Sequence, residues 1–242
     1  MVHVLEAVQL DHLYPEDVAR CAVRWSLDGF EEAWFSERNI TIPERLSRAV
    51  PKRRAEFLVG RYCAHDALRE LGAEQRHVLG INDDRSPVWP QTYVGSITHT
   101  KGFAAAVASS SSAYRALGVD TEEIVDLPTV ERLQDSIMTA SETEMLLTPP
   151  ATMSAATFFT FVFSAKESIY KCLRPLVGQF FGFKSAYLLD VVASQEADFG
   201  TARFHVDPIG NTTGPEVAPF DVHWRLSEGY VHTSTALRPP LA

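Results

Sequence analysis

The stretch Phe163-Ser164-Ala165-Lys166-Glu167-Ser168-Ile169-Tyr170-Lys171 limits the folds open to this chain more than any other. Read as a helix, it sets Glu167 and Lys171 four residues apart on one face, with Phe163 and Tyr170 bracketing that face. The apolar positions Phe158, Phe159, Phe161, Val162, Ile169 and Leu173 predict one long helix that starts near Ser154 and stops before Pro175. So apolar a helix must be covered by a sheet. The strand-like segments Ala186–Val192, Ala202–Val206, Asp221–Leu226 and Tyr230–Ala236, with Glu228-Gly229 as a tight hairpin, supply one.

Upstream, Ala116-Leu117-Gly118-Val119-Asp120 reads as a short apolar strand ending in an acid, and Glu122 points to the same side of an extended backbone as Asp120. If the helix packs across that strand end, Asp120, Glu122 and Glu167 meet. Three clustered carboxylates repel unless a cation joins them, and hard oxygen donors favour Mg2+ and, with it, a phosphate-bearing substrate. Taken singly these features are ordinary. A solvated Glu–Lys helix pair is worth about 0.2–0.5 kcal/mol, and Gly-Val-Asp is a common strand exit. The specificity lies in their combination.

At 242 residues and 45% hydrophobic content, the chain can bury one substantial core or two small ones closely joined. A formal net charge of −9 argues against nonspecific nucleic-acid binding, whose footprint is basic. No run approaches the roughly 18 apolar residues of a membrane span. The opening residues Met1-Val2-His3-Val4-Leu5-Glu6 lack a basic region and soon meet Asp11, so no signal peptide and a cytoplasmic location are expected. Cys21, Cys63 and Cys172 stand far apart and in no metal-binding spacing, which predicts buried thiols.

In chain order, helices are expected around Glu16–Arg24 and from Pro43 onward, with Thr41 as a cap. Apolar positions at 57, 58, 64, 67, 68 and 71 predict a helix from Pro51 to near Gly72. Arg53 and Arg61, eight residues apart, project from neighbouring rows of it. Residues 73–94 are loop-rich, with a strong turn over Asn82-Asp83-Asp84-Arg85-Ser86-Pro87. A strand then reaches Gly95-Ser96-Ile97-Thr98-His99, a buried strand follows over Phe103–Ala108, and Ser109–Ser112 form a polar turn. Residues 124–148 mix helix and loop, with Ser141 and Glu144 as a capping box. His99 lies at a strand end among hydroxyls and beside Lys101, where it is a candidate for function. A hydrolase triad of Ser96, His99 and Asp120 has no G-x-S-x-G elbow to support it, and no GxGxxG or GxxxxGK[ST] loop is present.

Gly118-Val119-Asp120-Thr121-Glu122, followed downstream by the stretch from Phe163 to Lys171, resembles the two signature motifs of the Sfp-type phosphopantetheinyl transferases, in particular the enterobactin-synthase-component-D-like branch. Arg85, Pro87, Trp89 and Pro90 match as well, whereas Thr92 stands where relatives usually carry Gly and Thr100 where many carry Cys. The resemblance covers roughly positions 45 to 190.

It implies an α+β fold of two similar halves related by a pseudo-twofold, 1–117 and 118–242, each a small, mainly antiparallel sheet packed on helices, with the active site between them. The implied reaction moves the 4′-phosphopantetheine arm of coenzyme A to a serine of an apo acyl or peptidyl carrier protein, as in secondary metabolite biosynthesis. Arg53, Arg61, Arg85, Thr98 and His99 are then expected to hold the phosphates of coenzyme A, with Lys166 a secondary phosphate contact. Mg2+ would be held by Asp120, Glu122 and Glu167, with Glu167 as the base and Lys171 at the leaving phosphate. A monomer is expected. A metal-dependent phosphohydrolase and a noncatalytic module binding coenzyme A or a carrier are the alternatives from other classes.

Overall fold

The computed structural model describes residues 5–73, 79–150, 152–194, 198–209 and 219–240; Met1–Val4, on which the signal-peptide expectation rests, lie outside them. The first part of the chain lays down β1 (Leu5–Ala7), β2 (Ala19–Trp25), a short α1 (Ala33–Glu37), the long α2 (Pro51–Glu70) and a small hairpin of β3 (Gly80–Ile81) and β4 (Pro87–Val88). Next come β5 (Tyr93–Thr100) and β6 (Phe103–Ser110). These form a four-stranded antiparallel sheet in the order β1-β2-β6-β5. The second part contains β7 (Ala116–Glu123), α3 (Leu127–Ile137), α4 (Ala140–Leu147) and α5 (Ala155–Val177). It closes with β8 (Ala186–Ala193), β9 (Phe199–Val206), β10 (Phe220–Ser227) and β11 (Tyr230–Leu237), giving a five-stranded antiparallel sheet in the order β7-β11-β10-β9-β8. Among the described residues no helix is long and apolar enough to cross a membrane.

Each sheet carries one long helix. On α2 the buried face carries the small side chains Ala55, Cys63, Ala64 and Ala67 beside Leu58, Val59 and Leu68, in one core with the alanines Ala104, Ala106 and Ala108 of β6. Thin residues on both sides bring helix and sheet close. On α5 the expected apolar positions Phe158, Phe159, Phe161, Val162, Ile169 and Leu173 are all buried, packed with Phe204, Val222 and Trp224 of the second sheet. The approach of α5 to β7 is closer still, because a Cβ on Gly118 would stand 1.9 Å from the Ser168 carbonyl oxygen. That contact explains why the strand ahead of Asp120 contains a glycine.

The two sheets are joined by side chains. Ser96 and Thr98 on β5 present their hydroxyl oxygens to the Val119 and Thr121 N–H groups of β7, each at 3.1 Å. Two β7 amides that a ladder would otherwise pair are satisfied in this way.

Four local expectations need correction. Glu16–Arg24 is not helical; Ala19–Trp25 forms β2, whose Ala19, Val23 and Trp25 face the core, and pairing with β6 overrides the helical spacing of its charges. From Pro43 only a three-residue 3₁₀ turn, Glu44–Leu46, forms; Pro43 is its cap and Thr41 plays no part. The capping box is Thr139 with Glu142, two residues earlier than expected. Finally, α5 runs through Pro175 to Val177. A proline this near the end removes a single backbone hydrogen bond, and Gly178, left-handed at φ 70°, closes the last turn by donating its N–H to the Arg174 carbonyl at 3.0 Å.

Candidate active site

The cleft between the halves is built on three elements, the ends of β5 and β7 and the middle of α5. Asp120 on β7 is 2% exposed. Its Oδ1 accepts from the Lys171 ammonium at 2.6 Å and from the Thr98 hydroxyl at 3.2 Å, and Lys171 also donates to the Val119 carbonyl at 3.2 Å. Its Oδ2 is buried and has no hydrogen-bond partner among the described residues. Glu122 and Glu167 share the field of Asp120. Burial, then repulsion from Asp120 and Glu167, pushes the Glu122 carboxyl up to about 8, with Lys171 pulling the other way. Burial also raises Glu167, again with Asp120 adding to the shift and Lys171 opposing it.

These three acids do not form a ready-made cage: among the described residues no group of three or more His, Cys, Asp or Glu side chains is set to hold a metal ion. Their chemistry still fits Mg2+. All donors are carboxylate oxygens, they destabilise one another's charged forms, and one buried oxygen of Asp120 is unpartnered.

Beside them, a cavity of about 370 Å³ is lined by Arg45, Arg53, Arg61, Arg85 and His99. Arg61 is 6% exposed, stacks its guanidinium over Phe57 at 4.9 Å, and keeps a buried Nε without a partner among the described residues. Desolvation, with the Arg45 charge, lowers it to about 10. A buried guanidinium on a cavity wall shared with three further arginines calls for an anion. Arg53 donates to His99 Nε2 at 3.3 Å and to Glu56 at 3.4 Å. A guanidinium can only donate, so Nε2 accepts and the imidazole proton sits on Nδ1. Burial, then the charges of Lys171 and Arg53, hold His99 down to about 4 against the pull of Glu56, leaving it neutral.

A second, wider cavity of about 830 Å³ adjoins the first through Arg85, Pro87 and Ile97, and its walls include Trp89, Tyr93, Glu167, Tyr170 and Lys171. Arg85 borders both from a left-handed position, φ 72°, in the β3–β4 turn.

The structure thus gathers Arg53, Arg61, Arg85 and His99 round one cavity and sets Glu167 and Lys171 on the wall of its neighbour, with Asp120 bonded to Lys171 and Glu122 in the field of Asp120, Lys171 and Glu167. Two expected phosphate contacts are elsewhere. The Thr98 hydroxyl is spent between Thr121 and Asp120, at the seam of the sheets. The Lys166 ammonium is turned into the interior, where it donates to Glu142 at 2.7 Å and to the Ile137 carbonyl at 2.8 Å. It follows Ala165 on the core-facing side of α5, so a reading of motif position alone misplaces it. Arg45 was missed: it sits outside the periodic helix, on a 3₁₀ turn, and its only sequence signal is a basic residue just ahead of an arginine-rich helix.

Known proteins resemble the chain along most of its length. The family model described as 4'-phosphopantetheinyl transferase N-terminal domain matches residues 42–109, and that of the 4'-phosphopantetheinyl transferase superfamily matches residues 116–233. The 4'-phosphopantetheinyl transferase Npt of Nocardia iowensis is 34% identical over 79% of this chain and 85% of its own length. The 4'-phosphopantetheinyl transferase PptT of Mycobacterium tuberculosis is 34% identical over 79% of this chain and 82% of its own. Enterobactin synthase component D of Salmonella typhi is 38% identical over 68% of each chain. With motif, fold and relatives in agreement, the chain belongs to the 4'-phosphopantetheinyl transferase family.

Proposed function

We propose that this chain transfers the 4′-phosphopantetheine arm of coenzyme A to a serine hydroxyl of an apo carrier protein in the cleft between its halves, releasing adenosine 3′,5′-bisphosphate. The observation that carries the assignment of residues is the arginine-lined cavity opening beside the acid and lysine cluster. Arg45, Arg53, Arg61 and Arg85 bind the nucleotide phosphates, and His99 orients Arg53 among them. Asp120, Glu122 and Glu167 would hold Mg2+, which when bound neutralises pyrophosphate charge. The serine oxygen attacks the phosphorus that bears the pantetheine arm, and the bond from that phosphorus to the bridging oxygen breaks. Glu167, made a stronger base by burial, takes the serine proton. Lys171 donates to the departing phosphate. The trough along Trp89, Tyr93 and Tyr170 gives the pantetheine arm an aromatic wall.

The halves divide at 117/118 in this reading; the first sheet ends at Ser110 and the second begins at Ala116, so that boundary falls two residues inside β7. A cytoplasmic monomer completes it, and three free thiols suit a reducing compartment. Intact-mass spectrometry of an apo carrier incubated with the protein, coenzyme A and Mg2+ tests the function. A carrier heavier by one phosphopantetheine is expected. An unchanged carrier with phosphate released from coenzyme A would instead mark a phosphohydrolase, and binding with no change in either would mark a noncatalytic module.

A further inference from the structure

Lys166 and Glu142 form a completely buried ion pair, with side chains 1% and 0% exposed. Two of the three ammonium donors and both carboxylate oxygens are used, and each partner belongs to a different element. Lys166 Nζ donates to Glu142 Oε2 at 2.7 Å and to the carbonyl of Ile137, the last residue of α3, at 2.8 Å. Glu142 Oε2 also accepts from the Thr139 N–H at 2.7 Å and the Thr139 hydroxyl at 3.0 Å, the cap of α4. Its Oε1 accepts the Leu188 N–H of β8 at 2.9 Å. Four elements, α3, α4, α5 and β8, therefore meet on two side chains.

A buried pair of this kind gains little net stability over apolar residues of the same volume, because desolvation offsets the Coulomb attraction. What it supplies here is direction. Successive helical residues differ by roughly 100° about the axis, so clamping Lys166 on the inner side fixes where Glu167 points. One turn further on, Lys171 is set by the same rotation and reaches Asp120.

We propose that the Lys166–Glu142 pair is a positioning device that sets the rotation of α5 and so aims Glu167 and Lys171 into the cleft, and that Lys166 does not touch substrate. The proposal rests on the transferase reading for its kinetic consequences but not for its geometry, so the test has one arm of each kind. The variants are Lys166→Met, Glu142→Gln and the double variant, in which Gln keeps an acceptor for Leu188 and no buried charge is left unpaired.

The kinetic arm measures carrier modification and coenzyme A affinity. Positioning predicts that the folded double variant loses about 10- to 100-fold in kcat while its Kd for coenzyme A stays within about 2-fold, because the arginine cavity is untouched. Both single variants should lose kcat in the same way if they fold. The structural arm follows the side-chain carboxyl carbon-13 signal of Glu167, assigned by its loss in Glu167→Gln, in the protein without ligands. The signal should move in the double variant. A folded double variant with full kcat, an unmoved Glu167 signal, or a rise of 10-fold or more in Kd for coenzyme A in Lys166→Met with none in Glu142→Gln would overturn the proposal. Should the wild-type protein leave the carrier unmodified, the transferase reading fails while the Glu167 signal still decides the positioning claim.

Discussion

In the proposed reaction Glu167 carries two requirements at once, a ligand oxygen and a proton acceptor, and Glu167→Gln separates both from shape. Loss of a general base typically costs about 10²–10⁴-fold in rate, so kcat for carrier modification should fall at least that far with little change in the melting temperature. A mutant retaining more than about a tenth of the wild-type rate at saturating Mg2+ would remove Glu167 from the reaction. Histidine titration gives a second expectation. The unfolded chain protonates His99 and His232 near 6.5, whereas burial holds them down to about 4 and about 3 in the fold. Their contribution to stability is therefore fully present above pH 6.5 and is lost as pH falls through that window toward the folded values. At the acid limit it amounts to on the order of 3 kcal/mol for His99 and 5 kcal/mol for His232. His232 faces the Thr121 hydroxyl at 3.0 Å through Nδ1, which Asn can imitate. His232→Asn should flatten the decline of melting temperature between pH 6.5 and 4; an unchanged slope would show that His232 does not contribute to it.

The elements show which parts of the sequence could be read in isolation. Long periodic segments were legible, since α2, the body of α5 and the four last strands announce themselves by spacing and by flanking Gly and Pro. Elements that depend on a distant partner were not. β2 takes its extended form from β6, some eighty residues later, and its own alternation of Ala19, Cys21 and Val23 is too short to outweigh the mixed charges around it. Likewise the spacing Val162, Lys166, Ile169, Leu173 puts Lys166 on the buried stripe and Lys171 off it, but nothing local names the partner of either. The first meets Glu142 and the second Asp120 only after α4 and β7 are in place. Gly118 is the converse case, a glycine whose sequence context is unremarkable and whose packing is exacting. Gly118→Ala would put a methyl group 1.9 Å from the Ser168 carbonyl, which only movement of α5 away from β7 can relieve. Overpacking of this kind costs about 1–3 kcal/mol or more. The melting temperature should drop by several degrees, and kcat should fall further than that instability explains, because Glu167 and Lys171 ride on the displaced helix. Equal activity per folded molecule in mutant and wild type would mean that the helix-to-strand spacing does not govern the site.

Across the whole molecule the proposed reaction divides the work of the two halves between recognising charge that does not react and handling charge that does. A chain of net charge −9 nevertheless gathers four arginines at one cavity, a local positive field against a negative background that suits the nucleotide phosphates of the proposed reaction. Arg45 tests this most cleanly: it lines the cavity from a 3₁₀ turn and belongs to neither of the long helices, so removing it leaves the main packing intact. A hydrogen bond to a charged group is worth about 1.5–3 kcal/mol, and Arg45→Ala should therefore weaken coenzyme A binding by roughly one to two powers of ten. Turnover at saturation should fall much less, since the contact is the same in ground and transition states. Arg61→Ala should act in the same direction and also lower stability, because its guanidinium is stacked on Phe57. Dephospho-coenzyme A, which lacks the 3′-phosphate, supplies the control. The wild-type protein should bind it more weakly than coenzyme A, and whichever variant has lost the 3′-phosphate contact should bind the two alike. If Arg45→Ala, Arg53→Ala and Arg61→Ala all keep the full wild-type preference for coenzyme A, the arginine cavity does not hold the 3′-phosphate. The nucleotide would then have to lie in the wider, aromatic cavity, whose cationic lining residues are Arg85, Arg115, Lys171 and Arg174.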